Sequence, residues 1–340
     1  MRQLTALQEA LQEALPKAFI TMSAVRSAVR SAVRSSVCLA IVGLPAGAQT
    51  QLVIASGLGG DPRYTAEFAS LASTLAQAAH ERGGLPDSAI AWFGEAAATK
   101  SRWYRGVSHR ANIEQVLARF AARPAGEQVV IVLIGHGSGD GLQTRISLPG
   151  PDLSAADFAK LLDRFGERRV AFINMTSASG DMLPVLAAPG RVVMTATKSS
   201  FERNESQFAR YFVEALAKEG ADTDKDNRIS LFEAFTYAEA ETKRFYEEHQ
   251  RIATEHPQLA DDGQLSRRFF LTAGTAGARS NDPRIVALYT ERARLEEQIT
   301  ALRKRKPDMT TEAYEAELER LLVALAEKSS EIRRLEGDGT

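Results

Sequence analysis

The run "QVVIVLIGHG", residues 128–137, would be apolar on both faces if it were extended, and it ends in a histidine between two glycines. Four other runs have the same character, at 51–58, 88–95, 169–174 and 191–198. Strands that are apolar on both faces, with helical patterns between them, are typical of a parallel sheet covered on both sides. The sequence therefore predicts an α/β fold with a mostly parallel sheet and helices on both faces.

Helical periodicity between these runs predicts helices near 62–82, 109–122 and 154–165, and "LQTRISLPG" predicts a hairpin outside the main sheet. Functional groups of such folds gather where the strands end. Two predicted strand ends combine glycines with reactive side chains: "IGHGSGDG" and "NMTSASGD". These two turns are therefore the candidate site.

His136 in the first turn lies between two glycines, and Ser177 lies in the second turn. Flanking glycines let the backbone approach a ligand and leave amides free to stabilise an oxyanion. A histidine base and a small hydroxyl on neighbouring strand ends form an arrangement suited to nucleophilic catalysis. The alternative is an ordinary turn, since glycine-flanked histidines also occur there.

The order "VVIVLIGHGSGDG", a helix and "VAFINMTSASGDM" resembles the legumain-like cysteine peptidases of the caspase-hemoglobinase fold, over roughly Gln51 to Phe270. The resemblance implies that His136 corresponds to the catalytic histidine and that the Gly137 amide helps to form the oxyanion hole. It also matches Ser179-Gly180 to the family's Ser-Gly pair. Ser177 falls on the position of the catalytic cysteine.

Serine at that position changes the expected activity. A cysteine is partly thiolate at neutral pH, whereas a serine needs a histidine that is itself oriented, usually by a carboxylate. Asp140 and Asp181 are near in sequence, but nothing places either behind the imidazole, and Ser177 is not in a G-x-S-x-G elbow. We favour an inactive pseudopeptidase that binds peptides or partner proteins. The alternatives are an active hydrolase with a Ser177-His136 dyad and an unrelated use of the fold.

The segment "DTDKDNRISLFE" matches the twelve-residue calcium loop of an EF-hand. Positions one, three, five, seven, nine and twelve are Asp222, Asp224, Asp226, Arg228 (through its backbone carbonyl), Ser230 and Glu233. Asn227 replaces the usual glycine at position six, and asparagine tolerates a left-handed turn. The pattern predicts a structural Ca²⁺ ion. The alternative is an acidic loop that has lost its ion.

Residues 1–48 resemble an export signal. Arg26, Arg30 and Arg34 precede the apolar run "VCLAIVGL", and Ala46-Gly47-Ala48 has the form that signal peptidase cleaves. The segment before Met22 is longer than a signal peptide needs, so Met22 is a candidate start of translation. We expect a periplasmic or secreted protein, without the single cysteine, Cys38, and with membrane contact only during export. The alternative is an amphipathic first helix of a cytoplasmic protein.

The expected α/β domain covers residues 49–275, and residues 283–336 predict a helical hairpin or coiled coil that turns at Pro307. Its apolar positions are Leu295, Ile299, Leu302, Tyr314, Leu318, Leu321, Leu325, Ile332 and Leu335. The hairpin packs on its own domain or serves as a docking or oligomerising arm. A formal net charge of -1 gives no reason to expect nucleic acid as a partner.

Two further segments contain polar side chains that match no catalytic or metal-binding motif. "ATEHPQLADDG" offers His256, Asp261 and Asp262, but their spacing matches no metal site, so a solvated loop is expected. Lys198, Glu202 and Arg203 follow a strand and could line a cleft, although a solvated loop is again the simpler interpretation.

Overall fold

A computed structural model describes residues 50–95, 100–123, 128–141, 143–223, 228–261, 265–271 and 283–337. The chain separates into two units, residues 1–46 and residues 47–340, and the described residues all belong to the second. The predicted signal segment, 1–48, lies outside them. Within the described part of the chain, no helix has the length and apolar character needed to cross a membrane.

A seven-stranded sheet forms the centre of the protein. Its strands are β1 (Thr50–Ser56), β2 (Ile90–Gly94), β3 (Tyr104–Val107), β4 (Gln128–Ile134), β8 (Val170–Asn174), β9 (Arg191–Thr195) and β10 (Gln258–Asp261). Their spatial order is β10-β9-β8-β4-β1-β2-β3, and only β10 runs antiparallel to its neighbour. The predicted mostly parallel α/β sheet is therefore confirmed.

Helices cover both faces of this sheet. They are α1 (Pro62–Glu81), α2 (Arg110–Ala121), α3 (Ala155–Leu162), α4 (Leu183–Leu186), α5 (Phe208–Ala217) and α6 (Leu231–Glu248). Side chains alternate along β1: Leu52 and Ile54 pack with α1, α5 and α6, whereas Val53 and Ala55 pack with α2, α3 and α4. Two apolar layers thus fix the strands and hold their carboxyl ends at one edge.

Three short strands lie outside the main sheet between β4 and α3. They are β5 (Gly137–Gly139), β6 (Thr144–Ile146) and β7 (Leu153–Ser154), paired antiparallel. This agrees with the hairpin predicted from "LQTRISLPG". The strands β3 and β10 were not predicted, because each is only four residues long and lies at an edge of the sheet.

The last two helices are α7 (Pro283–Arg305) and α8 (Thr311–Gly337), joined by a 3-10 turn that contains Pro307. Ile285 near the start of α7 packs with Ile332 near the end of α8, and Ile299 packs with Leu321. This pairing is that of an antiparallel hairpin, so the predicted helical hairpin is confirmed. Arg267 forms an ion pair with Glu296 of α7, a contact between the hairpin and the segment after β10.

Candidate functional site

The two turns predicted as a site meet at the carboxyl edge of the sheet. Strands β4 and β8 are neighbours, with Leu133 in register with Asn174. The Met175 amide donates to the Leu133 carbonyl at 2.9 Å, which carries the pairing beyond the end of β8. The turn after β8 therefore lies directly against the start of β5.

Gly137 is in close contact with this turn. A Cβ atom at Gly137 would lie 2.3 Å from the Ser177 carbonyl oxygen and 2.7 Å from Thr176 Oγ1. Real Cβ atoms do not approach other atoms so closely, so no side chain fits here without movement of the backbone. Glycine is thus required at 137 by packing alone, whatever the amide does chemically.

The hydroxyl of Ser177 makes both of its hydrogen bonds to the backbone of Gly137. The Gly137 amide donates to Ser177 Oγ at 3.2 Å, and Ser177 Oγ donates to the Gly137 carbonyl at 3.4 Å. Ser177 is only 2% exposed. The amide that would stabilise an oxyanion and the hydroxyl that would act as nucleophile are therefore engaged with each other.

His136 precedes Gly137 in the turn after β4, and its side chain has different partners. Its imidazole is half-buried and packs edge-on against the rings of Tyr64 and Phe68, with centroids 4.7 and 5.1 Å away. Within the described residues it makes no hydrogen bond. Asp140 accepts a hydrogen bond from the Gln143 amide and Asp181 accepts one from the Ser200 amide. No described carboxylate therefore orients the ring by a hydrogen bond.

Glu67 is a charged neighbour of His136 that sequence reasoning missed. It lies on α1 between Tyr64 and Phe68, the two residues whose rings contact the imidazole. The pKa of the Glu67 carboxyl is raised, first by burial and then by the negative charge of Glu205, while the positive charges of Arg63 and Arg210 act in the other direction. Helical spacing in α1 was visible in the sequence, but its position across the strand ends was not.

The Ser-Gly pair of the turn has a structural role. Ser179 Oγ accepts hydrogen bonds from the amides of Ala196 and Thr197 at 3.1 and 3.3 Å, and Ser179 is fully buried. A Cβ at Gly180 would lie 2.1 Å from the backbone of Lys198. The pair therefore fastens the turn after β8 to the end of β9.

Glu202 and His256, expected in solvated loops, form a pair beside this turn. His256 Nδ1 lies 2.5 Å from Glu202 Oε1, and the amides of Lys198 and His256 donate to Glu202 Oε2. The Glu202 carbonyl accepts a hydrogen bond from Ala178, which has a left-handed φ of 54°. The residues after β9 thus support the Ser177 turn, a contact between positions that sequence spacing alone could not predict.

The other polar residues singled out in the sequence are dispersed. Asp261 lies in β10, where burial raises the pKa of its carboxyl and Ser266 donates to it. Asp262 lies outside the described residues. The described residues contain no group of three histidine, cysteine or acidic side chains that could hold a metal ion.

The predicted calcium loop is described only in part. Asp224 and Asp226 lie outside the described residues, whereas Asp222, Arg228, Ser230 and Glu233 lie within them. The Glu233 carboxylate accepts hydrogen bonds from the backbone and hydroxyl of both Thr223 and Ser230. Together with Ser230 it forms a capping box at the start of α6. This carboxylate is thus held in place by protein donors at the position where it would bind calcium.

Calcium is expected to raise the melting temperature of the full chain, because a ligand that binds only the folded state stabilises it by mass action. The measurement compares thermal melts in millimolar CaCl₂ and in chelator, with MgCl₂ as the control for ionic strength. Asp222→Asn should remove most of the difference. Identical melts in calcium and chelator would show that the loop binds no ion.

Comparison with known proteins finds matches among solved structures only. No family model matches the sequence, and no curated protein matches it either. Among solved structures, that of drICE, a caspase, is similar with a TM-score of 0.39 and 8% sequence identity, covering 64% of this chain and 89% of drICE. At this TM-score and identity the similarity supports no conclusion about activity. The resemblance to legumain-like peptidases therefore stays a prediction.

Proposed function

We propose that this chain is an exported, non-hydrolytic relative of the caspase-hemoglobinase peptidases, and that it binds peptides or partner proteins at the carboxyl edge of its sheet. The observation that carries this proposal is the engagement of Ser177. Its buried hydroxyl is hydrogen-bonded to both backbone groups of Gly137 and makes no hydrogen bond to His136. A serine nucleophile needs a base that removes its proton during attack.

An exposed surface beside the buried serine supports the binding part of the proposal. Phe201 follows β9 and is 69% exposed. The neighbouring Arg203 donates to the Gly139 carbonyl at 2.8 Å, and the Gly141 amide donates to Ser200 Oγ. These bonds join the segment after β9 to the β5–β6 hairpin. An exposed aromatic ring on a well-supported wall is a residue type that often anchors peptide binding.

A hydrolase remains the second candidate, and Glu67 is the observation that favours it. This carboxyl lies on α1 beside Tyr64 and Phe68, the residues that pack on His136. A carboxylate near the imidazole is a component that serine catalysis uses. Glu67 would act as the orienting acid only if it reached a ring nitrogen of His136.

Labelling and binding assays on the full chain test the proposal together. We expect a fluorophosphonate to leave Ser177 unmodified and reporter peptides to remain uncut, with Ser177→Ala identical to the wild type in both assays. We also expect saturable binding of members of a fluorescent peptide library, weakened about tenfold or more by Phe201→Ala, as for a central aromatic anchor. Val185→Ala is the matched control, since Val185 is also exposed but lies on α4.

Three other outcomes would contradict the proposal or identify a catalytic residue. Stoichiometric labelling of Ser177 that disappears in His136→Ala would establish a serine hydrolase. Loss of that labelling in Glu67→Gln would then identify Glu67 as the residue that positions His136. Peptide binding that is unaffected by Phe201→Ala would contradict the proposed binding surface.

A further inference from the structure

A cavity opens at the carboxyl ends of β1 and β2, beneath the first turns of α1. Its volume is about 880 Å³, and its apolar walls are formed by Leu58, Pro62, Ala66, Phe68, Ala69 and Trp92. Cavities of roughly 300–1,000 Å³ with mostly apolar walls and a few polar groups are typical of small-molecule sites. The carboxyl ends of parallel strands are also where α/β proteins bind ligands.

This cavity is separate from the Ser177 turn. Neither His136 nor Ser177 lines it, and Phe68 forms a wall between the two regions, since its ring contacts both the imidazole and the cavity. A ligand here would therefore bind independently of whether Ser177 is reactive.

Glu95 determines which kind of ligand the cavity suits. The Gly59 amide and the Thr65 hydroxyl donate to Glu95 Oε2 at 3.0 and 2.6 Å. A glycine-containing turn that leads into a helix is often a site for phosphate, but here a carboxylate already occupies these donors. Among the described residues, Glu95 Oε1 has no hydrogen-bond donor. The free oxygen favours a ligand that donates hydrogen bonds.

The charged residues around the cavity also favour a cationic ligand. Among the described residues that line it, Asp61 and Glu95 supply two carboxylates and the exposed Lys100 supplies one ammonium group. An excess of negative charge attracts cations and repels anions. Trp92 lines the cavity only with the small part of its side chain that is exposed, since the residue is 2% exposed, and its Nε1 donates to Ser56 Oγ. Aromatic walls also favour cations that carry apolar groups.

We propose that this cavity binds a small organic cation, an amine with an apolar body, whose ammonium group pairs with Glu95 while the body packs against the apolar walls of the cavity. The same chemistry is presented by a free amine and by the lysine side chain of a peptide. The site is distinct from the Ser177 turn, so it stands or falls independently of the proposed function.

Tryptophan fluorescence provides a direct test. The chain has two tryptophans, and Trp103→Phe leaves Trp92 as the only reporter. The probe is phenethylamine, compared with its neutral analogue 2-phenylethanol and with the anion 3-phenylpropionate. A blocked lysine peptide forms a further arm. We expect saturable binding of phenethylamine at least tenfold tighter than that of 2-phenylethanol, and no binding of 3-phenylpropionate. Binding of the lysine peptide that is tighter than that of phenethylamine would identify a peptide's lysine side chain, rather than a free amine, as the ligand of the cavity.

Variants of two glutamates complete the test. Glu95→Gln keeps an oxygen that accepts from Gly59 and Thr65, so the fold should survive, and a thermal melt checks this. It should weaken phenethylamine binding about tenfold and leave 2-phenylethanol unchanged. Glu247→Gln is the control, since Glu247 is exposed and, within the part of the chain that the structure describes, forms an ion pair only with Lys243, at 3.7 Å. Absence of saturable amine binding, equal binding of amine and alcohol, or an unchanged affinity in a folded Glu95→Gln protein would each overturn the proposal.

Discussion

Gly137→Ala is expected to lower the free energy of unfolding by about 3 kcal/mol or more, because overpacking against backbone atoms forces the chain itself to move. The added Cβ would lie 2.3 Å from the Ser177 carbonyl oxygen. That oxygen belongs to a buried turn between two central strands, so it cannot retreat as the end of a flexible side chain could. Urea unfolding followed by circular dichroism measures the effect.

Gly220→Ala is the matched control for this prediction. Its nearest atom, on the Tyr237 ring, would be 3.8 Å from the new Cβ, an ordinary contact distance. We expect a change within about 0.5 kcal/mol, as for surface substitutions that disturb no special feature. Equal unfolding curves for the two variants would show that the turn after β8 shifts freely, and would weaken the view of Gly137 as a packing requirement.

Ser179→Ala is expected to lower the free energy of unfolding by about 1–3 kcal/mol. The substitution removes the acceptor of the buried Thr197 amide, whereas the Ala196 amide keeps its hydrogen bond to the Asn174 carbonyl at 3.0 Å. A buried donor without a partner costs about 1–3 kcal/mol. The turn after β8 and the end of β9 would keep their other hydrogen bonds, such as that from the Gly180 amide to Thr197 Oγ1, but would be joined less firmly. Thermal unfolding should therefore begin at lower temperature.

Two other serines separate this effect from the loss of any hydroxyl. Ser138→Ala should be nearly neutral, because Ser138 is exposed. Ser177→Ala should cost about 1 kcal/mol, since its partner Gly137 is half-buried and water can replace the lost hydrogen bonds. A Ser179→Ala protein as stable as the Ser138→Ala protein would contradict the structural role of the Ser-Gly pair.

That role bears on how the resemblance to cysteine peptidases is interpreted. Gly137, Ser179 and Gly180 all match the motif, and in this structure each has a packing or hydrogen-bonding reason to be where it is. These residues can therefore persist in a chain that does not hydrolyse peptides. Matching motifs alone consequently do not distinguish an enzyme from a binding protein of the same fold.

The sequence by itself determined the chain order of five of the seven strands in the main sheet and of the helices between them, because each signal is local. Five strands were predicted from runs that are apolar on both faces, and the observed ends of all five differ from the predicted ends by at most three residues. The hairpin α7–α8 was predicted from three-and-four spacing and the break at Pro307. Such patterns reflect burial of one segment against the rest of the core, so they can be recognised without knowing the partner.

Only the tertiary structure decided the chemistry of the site. The sequence placed His136 and Ser177 at neighbouring strand ends, but it did not show that the Ser177 hydroxyl bonds to Gly137 rather than to the imidazole. Sequence spacing also failed to pair Glu202 with His256, which lie 54 positions apart. Hydrogen bonds depend on ångström distances and angles between atoms of different segments. Burial patterns specify which segments pack together, whereas the packed backbone specifies which polar atoms meet.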